Sequence, residues 1–118
     1  MANTVHEVVR LINAELSRIA DVARRAELAA LLTRPAPVGL DWEYGPPGDR
    51  IDAWVVGRAL DGSAALLYCD RGFGPTYPWG CIRSDSASAG ADADWHVGLE
   101  DAAIHAGLLA APHGYQVP

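Results

Sequence analysis

At 118 residues, half of them apolar and a fifth charged, the chain has the size and composition of one folded domain and not of a disordered segment. The net charge of −6 is lopsided: residues 1–38 hold five Arg against four acids, residues 39–118 four Arg against eleven. Such an acidic surface repels phosphate backbones, which argues against nucleic-acid binding, and it speeds encounter with a basic partner protein.

Every basic residue is Arg, and Ala is abundant, as in a GC-rich coding sequence. The start, Met-Ala-Asn-Thr-Val-His-Glu, lacks the basic residues and apolar run of a secretion signal. No stretch approaches the roughly 18–20 uncharged residues of a membrane span. Two cysteines, Cys69 and Cys81, are too few for a disulfide framework. These features predict a cytoplasmic protein with reduced thiols and no membrane partner.

Residues 4–33 are predicted to be a long helix. Thr4 and Glu7 have capping-box spacing. Val5, Val9, Ile12, Leu16, Ile19, Ala23, Ala26 and Ala30 recur at steps of three and four, forming one face. Unbroken, such a helix would be about 45 Å long, so it either breaks near residues 17–21 or reaches past the domain. Its seam can cover the protein's own sheet, or pair weakly with a second copy through the small Ala residues.

Arg34-Pro35-Ala36-Pro37 ends the helix and reads as a linker over 34–39. Antiparallel strands are predicted over 40–83. Leu40–Tyr44 alternates apolar and acidic residues, and Ile51–Leu60 and Ala64–Asp70 flank the hairpin signal Asp61-Gly62. A short strand, Cys81–Arg83, follows. Residues 84–98 read as a loop and 99–110 as a C-terminal helix with Glu100 and Asp101 in its first turn. The fold class is therefore α+β: a long N-terminal helix, a three- to four-stranded antiparallel sheet and a C-terminal helix. Without alternating βαβ units, a parallel sheet is not expected.

Gly72-Phe73-Gly74-Pro75-Thr76-Tyr77-Pro78-Trp79-Gly80 sets three aromatics among three glycines and two prolines. Proline stiffens such a path and glycine lets backbone approach closely, so the loop can hold aromatic faces at low entropy cost. It reads either as a recognition loop using Tyr77 and Trp79, or as a plug in which Phe73 and Trp79 close the end of the core. Trp42, Tyr44, Trp54, Tyr68 and Trp95 lie close in sequence, beside Asp41, Glu43, Asp49, Asp52 and Asp70. An acidic, aromatic face of this kind suits an interface. The expected partner-binding residues are Phe73, Tyr77, Trp79, Trp42 and Tyr44.

Catalytic and cofactor motifs are not found. There is no Gly-x-Ser-x-Gly elbow and no phosphate loop. Gly72-Phe73-Gly74 lacks the third glycine and following helix of a dinucleotide fingerprint. Asp92, Asp94 and His96 fall on one side of an extended chain, but their spacing matches no established metal cage, and residues 85–96 lack the EF-hand ligands. His6, His105 and His113 have no metal spacing; His6 and His105 read as exposed helix residues. Cys69 and Cys81 fall on expected buried strands, where thiols are usually inert, although a cross-strand disulfide is geometrically conceivable. No catalytic residue, cofactor or metal is assigned.

The Gly-Phe-Gly-Pro-x-x-Pro-Trp-Gly string at 72–80, the Leu99-Glu100-Asp101-Ala102 helix start and the end at Gly114-Tyr115-Gln116-Val117-Pro118 resemble a pattern in small uncharacterised bacterial proteins. The resemblance covers about the last third of the chain. It implies a small stand-alone bacterial domain and transfers no catalytic residues. The composite expectation is a non-catalytic acidic protein-binding module, for instance a toxin-neutralising immunity-type protein. The alternative is a small-molecule binder or minor enzyme, with a pocket between sheet and loop lined by Trp42, Trp54, Tyr77 and Trp79.

Overall fold

The computed structural model describes residues 4–42, 44–86, 94–112, 114 and 115. Among them are three helices and five strands: α1 (Val5–Ser17), α2 (Val22–Leu31), β1 (Leu32–Asp41), β2 (Arg50–Arg58), β3 (Ala64–Tyr68), β4 (Trp79–Arg83), β5 (Asp94–His96) and α3 (Leu99–His105). The strands form one antiparallel meander in chain order, β1-β2-β3-β4-β5.

The predicted helix over 4–33 is two helices. Thr4 caps α1, its hydroxyl accepting from the Glu7 amide at 3.2 Å. The chain breaks after Ser17, and Asp21 starts α2 by accepting from the Ala23 and Arg24 amides at 2.9 and 3.1 Å. An Asp ahead of a helical run is an N-cap signal, and here it outweighs the continuity of the apolar repeat. The break re-phases the seam. Val8, Ile12, Ile19, Leu28 and Leu31 are buried, whereas Val9 and Ala23, Ala26 and Ala30 of the predicted face are exposed.

The predicted linker over 34–39 is also corrected. Those residues belong to β1, paired with β2 from Ala36↔Val55 to Asp41↔Arg50. β1 is an edge strand, where a proline's missing donor breaks no ladder, and its register is irregular between Leu32 and Ala36. The loop predicted over 84–98 contains β5; its residues 87–93, Asp92 among them, lie outside the described residues, as do Glu43 and His113. α3 ends at His105, short of the expected residue 110.

The helices cover one face of the sheet. Val8, Ile12, Leu28, Leu31, Leu99, Ala102, Ala103 and Leu109 pack with Val56, Leu66, Tyr68 and Trp79. The strands' alternate residues, Leu40, Ile51, Ala53, Ala65, Leu67, Cys69 and Ile82, form a second buried cluster on the other face, against half-buried Val38, Trp42, Val55 and Trp95. Alternation turns Trp54 and Val56 to the helix side, and a bulge between Val55 and Gly57 adds Gly57 to that same side, opposite Leu66. Polar links tie the helices together. Glu15 accepts from the Leu99 amide at 2.8 Å, and Arg24 pairs with Glu100 at 2.8 Å and donates to the Ala110 carbonyl.

Candidate recognition surface

Two turns meet at one end of the sheet. The β1–β2 connection closes through the Trp42 amide donating to the Asp49 carbonyl at 2.9 Å, and Pro46 accepts from Asp49 at 3.0 Å. The β3–β4 connection closes at its base, where the Cys69 amide donates to the Pro78 carbonyl at 2.8 Å. Within it Gly74 adopts φ 81°, a left-handed conformation that suits glycine, and its carbonyl accepts from the Tyr77 amide.

These turns bring Trp42, Tyr44 and Phe73 together. Ring centroids are 5.2 Å apart for Trp42–Tyr44, 5.4 Å for Trp42–Phe73 and 5.3 Å for Tyr44–Phe73. The first two pairs meet edge to face, and each such contact is worth about 0.5–1.5 kcal/mol beyond burial. Tyr44 nevertheless stays 62% exposed and Phe73 47%, while Trp42 is half-buried against the second core cluster. The cluster is therefore anchored at its root and open at its tip. Tyr77, 46% exposed, stands on the same loop.

Trp79 is elsewhere. Only 3% exposed, it lies on β4 in the helix-side core with its ring 4.9 Å from that of Tyr68. The segment 72–80 is divided: Phe73 and Tyr77 are exposed and Trp79 is buried. Trp79 plugs the core, whereas Phe73, expected as part of that plug, is exposed.

The acids at this end are partly neutralised. Asp41 pairs with Arg50 at 2.8 Å, and Arg50 also donates to the Gly39 carbonyl. Asp52 and Asp70 line a cleft of about 430 Å³ over β1–β3, with Pro37, Trp54, Tyr68 and Arg71. Tyr68 donates to Asp70 at 3.3 Å, and its phenol is pushed up to about 12, mainly by burial and then by Asp70. Trp42 borders a different cleft, beside the 45–49 turn, and Trp79 a third, between α1 and residues 75–78. Trp42, Trp54 and Trp79 thus do not share the one aromatic pocket expected between sheet and loop.

Among the described residues the thiols at and near this end are not activated as nucleophiles. Burial pushes the Cys69 and Cys81 thiols up, which keeps them protonated at neutral pH. The two face opposite sides of the sheet, and both are free. Among the described residues no group of three His, Cys, Asp or Glu is placed to hold a metal ion, and no helix is long and apolar enough to cross a membrane.

Sequence reasoning reached all the cluster's members but not their contact, because Trp42 and Phe73 meet only when two separate turns share a sheet end. The cleft acids were named only as neighbours of aromatics. Their opposition across β2 and β3 follows from a register that the bulge at Val56 alters. No family model matches the chain, and comparison with curated proteins and with solved structures returns no match.

Proposed function

We propose that the protein is a non-catalytic binding module that recognises a basic partner protein through Trp42, Tyr44, Phe73 and Tyr77. The observation that carries this reading is the three-ring cluster, packed in place yet open to solvent. Rigid aromatic side chains give a large contact area at low ordering cost, which is the usual character of binding hot spots. The acidic balance of residues 39–118 supplies charge complementarity, which steers encounter and selects partners. Neutralisation of a toxin by an immunity-type protein is one concrete form of this role. Trp79 is left out of the surface because it is core.

The test is capture from lysate of the native host with mass spectrometry, wild type beside the double variant Tyr44→Ala/Phe73→Ala. A stoichiometric basic protein held by wild type and lost by the folded variant supports the proposal. A partner held equally by wild type and variant removes the cluster from recognition.

A second reading rests on the cleft over β1–β3. Its volume falls within the range of small-molecule sites, and two carboxylates, an indole and a phenol converge on it. A ligand screen by thermal shift separates the two. A ligand that raises the melting temperature of wild type but not of Asp52→Asn favours the small-molecule role.

A further inference from the structure

β5, a three-residue strand at the sheet edge, carries His96 opposite Trp79 of β4. His105 is the last residue of α3. The two imidazoles stack with centroids 4.5 Å apart and planes inclined by 22°. His96 is half-buried, and its Nε2 is buried with no hydrogen-bond partner. His105 is exposed at the helix end.

The groups around the pair can be named element by element among the described residues. Asp94 shares β5, and Asp101 shares α3, where it accepts from the Tyr115 hydroxyl. From β4 come Trp79 and the Cys81 thiol, opposite His96 and Asp94. Glu100 of α3 is engaged by Arg24 of α2, and Glu15 of α1 by the Leu99 amide and Arg18. The nearby carboxylates are thus tied to other partners or act from a distance, and none accepts from His96 Nε2.

Uncharged imidazoles stack as flat, weakly polar surfaces. Charging both sets like charges face to face, and it leaves a buried N–H⁺ without an acceptor. Burial, and then His105, already hold the His96 imidazole below its usual range, against the opposing pull of Asp94 and Asp101.

We propose that the His96–His105 stack is an acid-released latch, which holds α3 on the sheet edge while both rings are neutral and lets it undock when they are protonated. α3 packs on β4 and β5, and Leu99, Ala102 and Ala103 share the core with Trp79. Release therefore uncovers the indole that ends the 72–78 turn. The latch concerns the fold of the chain by itself and does not depend on the partner proposed above.

Residue-resolved hydrogen exchange on the full chain, corrected for the intrinsic pH dependence of exchange, tests it between about pH 7.5 and about pH 5, where imidazoles titrate and most carboxylates stay ionised. The reporters are the Ala102, Ala106 and Leu108 amides, which donate to Gly98, Ala102 and Ala103. Amides of the β2–β3 ladder are the control. The latch predicts that α3 protection falls severalfold at the lower pH and by more than that of the ladder, and that His105→Phe, which keeps a ring and loses the charge, reduces the fall. His105→Gln gives a second uncharged variant should the ring not be accommodated. Unchanged α3 protection in wild type, an equal fall in the uncharged variant, or loss of the ladder in step with α3 overturns the proposal.

Discussion

Two aromatic groups in this protein have similar composition and opposite fates. Trp54, Tyr68 and Trp79 form a cross-strand row on the helix side of β2, β3 and β4, through the register pairs Trp54↔Tyr68 and Tyr68↔Trp79. Trp42, Tyr44 and Phe73 gather where strands have ended, at the mouths of two turns. In the row, strand alternation aims each ring at the helices. In the cluster, no ladder dictates direction and no helix lies above, so the rings pack on one another and keep their outer faces wet. The segment 72–80 crosses from one regime to the other between Tyr77 and Trp79. Aromatic content therefore does not mark a surface; position relative to the pleat decides.

The sharpest way to break this contrast is at Trp79. Trp79→Ala should lose about 3–5 kcal/mol, as large aromatic truncations in cores do, measured by urea unfolding. A loss below about 0.5 kcal/mol, the range typical of surface sites, would mean that Trp79 is not core. Gly80→Ala comes next. A Cβ at Gly80 would sit 2.7 Å from the Trp95 ring opposite it on β5, so overpacking should cost about 1–3 kcal/mol. A melt equal to wild type would show that β5 yields freely.

A third prediction concerns pH. Because the folded-state pKa of His96 is lowered, folding gains nothing from this group above about pH 6.5, and stability falls as the unfolded chain takes up the proton below it. Urea midpoints should decline from about pH 7 to about pH 5, and His96→Gln should flatten that decline. The smallest effect is expected from Asp21→Ala, about 1 kcal/mol, through loss of the α2 cap. That change loosens the cover over the buried row without touching any aromatic.

The α+β class, the order of helix, strands and helix, and the Asp61 turn were legible in the sequence. The turn rests on a local contact, Asp61 accepting from the Ser63 amide at 2.9 Å, and the Ser63 side chain and then this amide hold the Asp61 carboxyl below its usual range. Of strand β1 only the end, Leu40 and Asp41, was legible as strand; residues 32–39 were not. Pro35 and Pro37 argue against a strand unless it is an edge, and edge status depends on which strands pair across the whole sheet. Strand β5 was hidden by its length of three residues. The apolar repeat runs through the helix break and so does not show it, and the Asp21 cap decides the matter locally. In the candidate site, the residue types were visible but their burial was not. Trp79 and Tyr77 differ by two positions and share a Pro/Gly-rich context, and only strand pairing at Trp79↔His96 and Tyr68↔Trp79 separates them.

The central claim is that exposed Phe73 and Tyr44 serve recognition while buried Trp79 serves folding. It is tested most directly by measuring urea stability and partner capture together for Tyr44→Ala/Phe73→Ala and for Trp79→Phe. The account predicts that the first variant changes stability by about 1 kcal/mol or less and weakens binding by about 2 kcal/mol or more, a hot-spot effect. It predicts the reverse for Trp79→Phe: a clear loss of stability, with capture retained below the unfolding midpoint. A first variant that unfolds easily yet binds its partner as wild type does would contradict it.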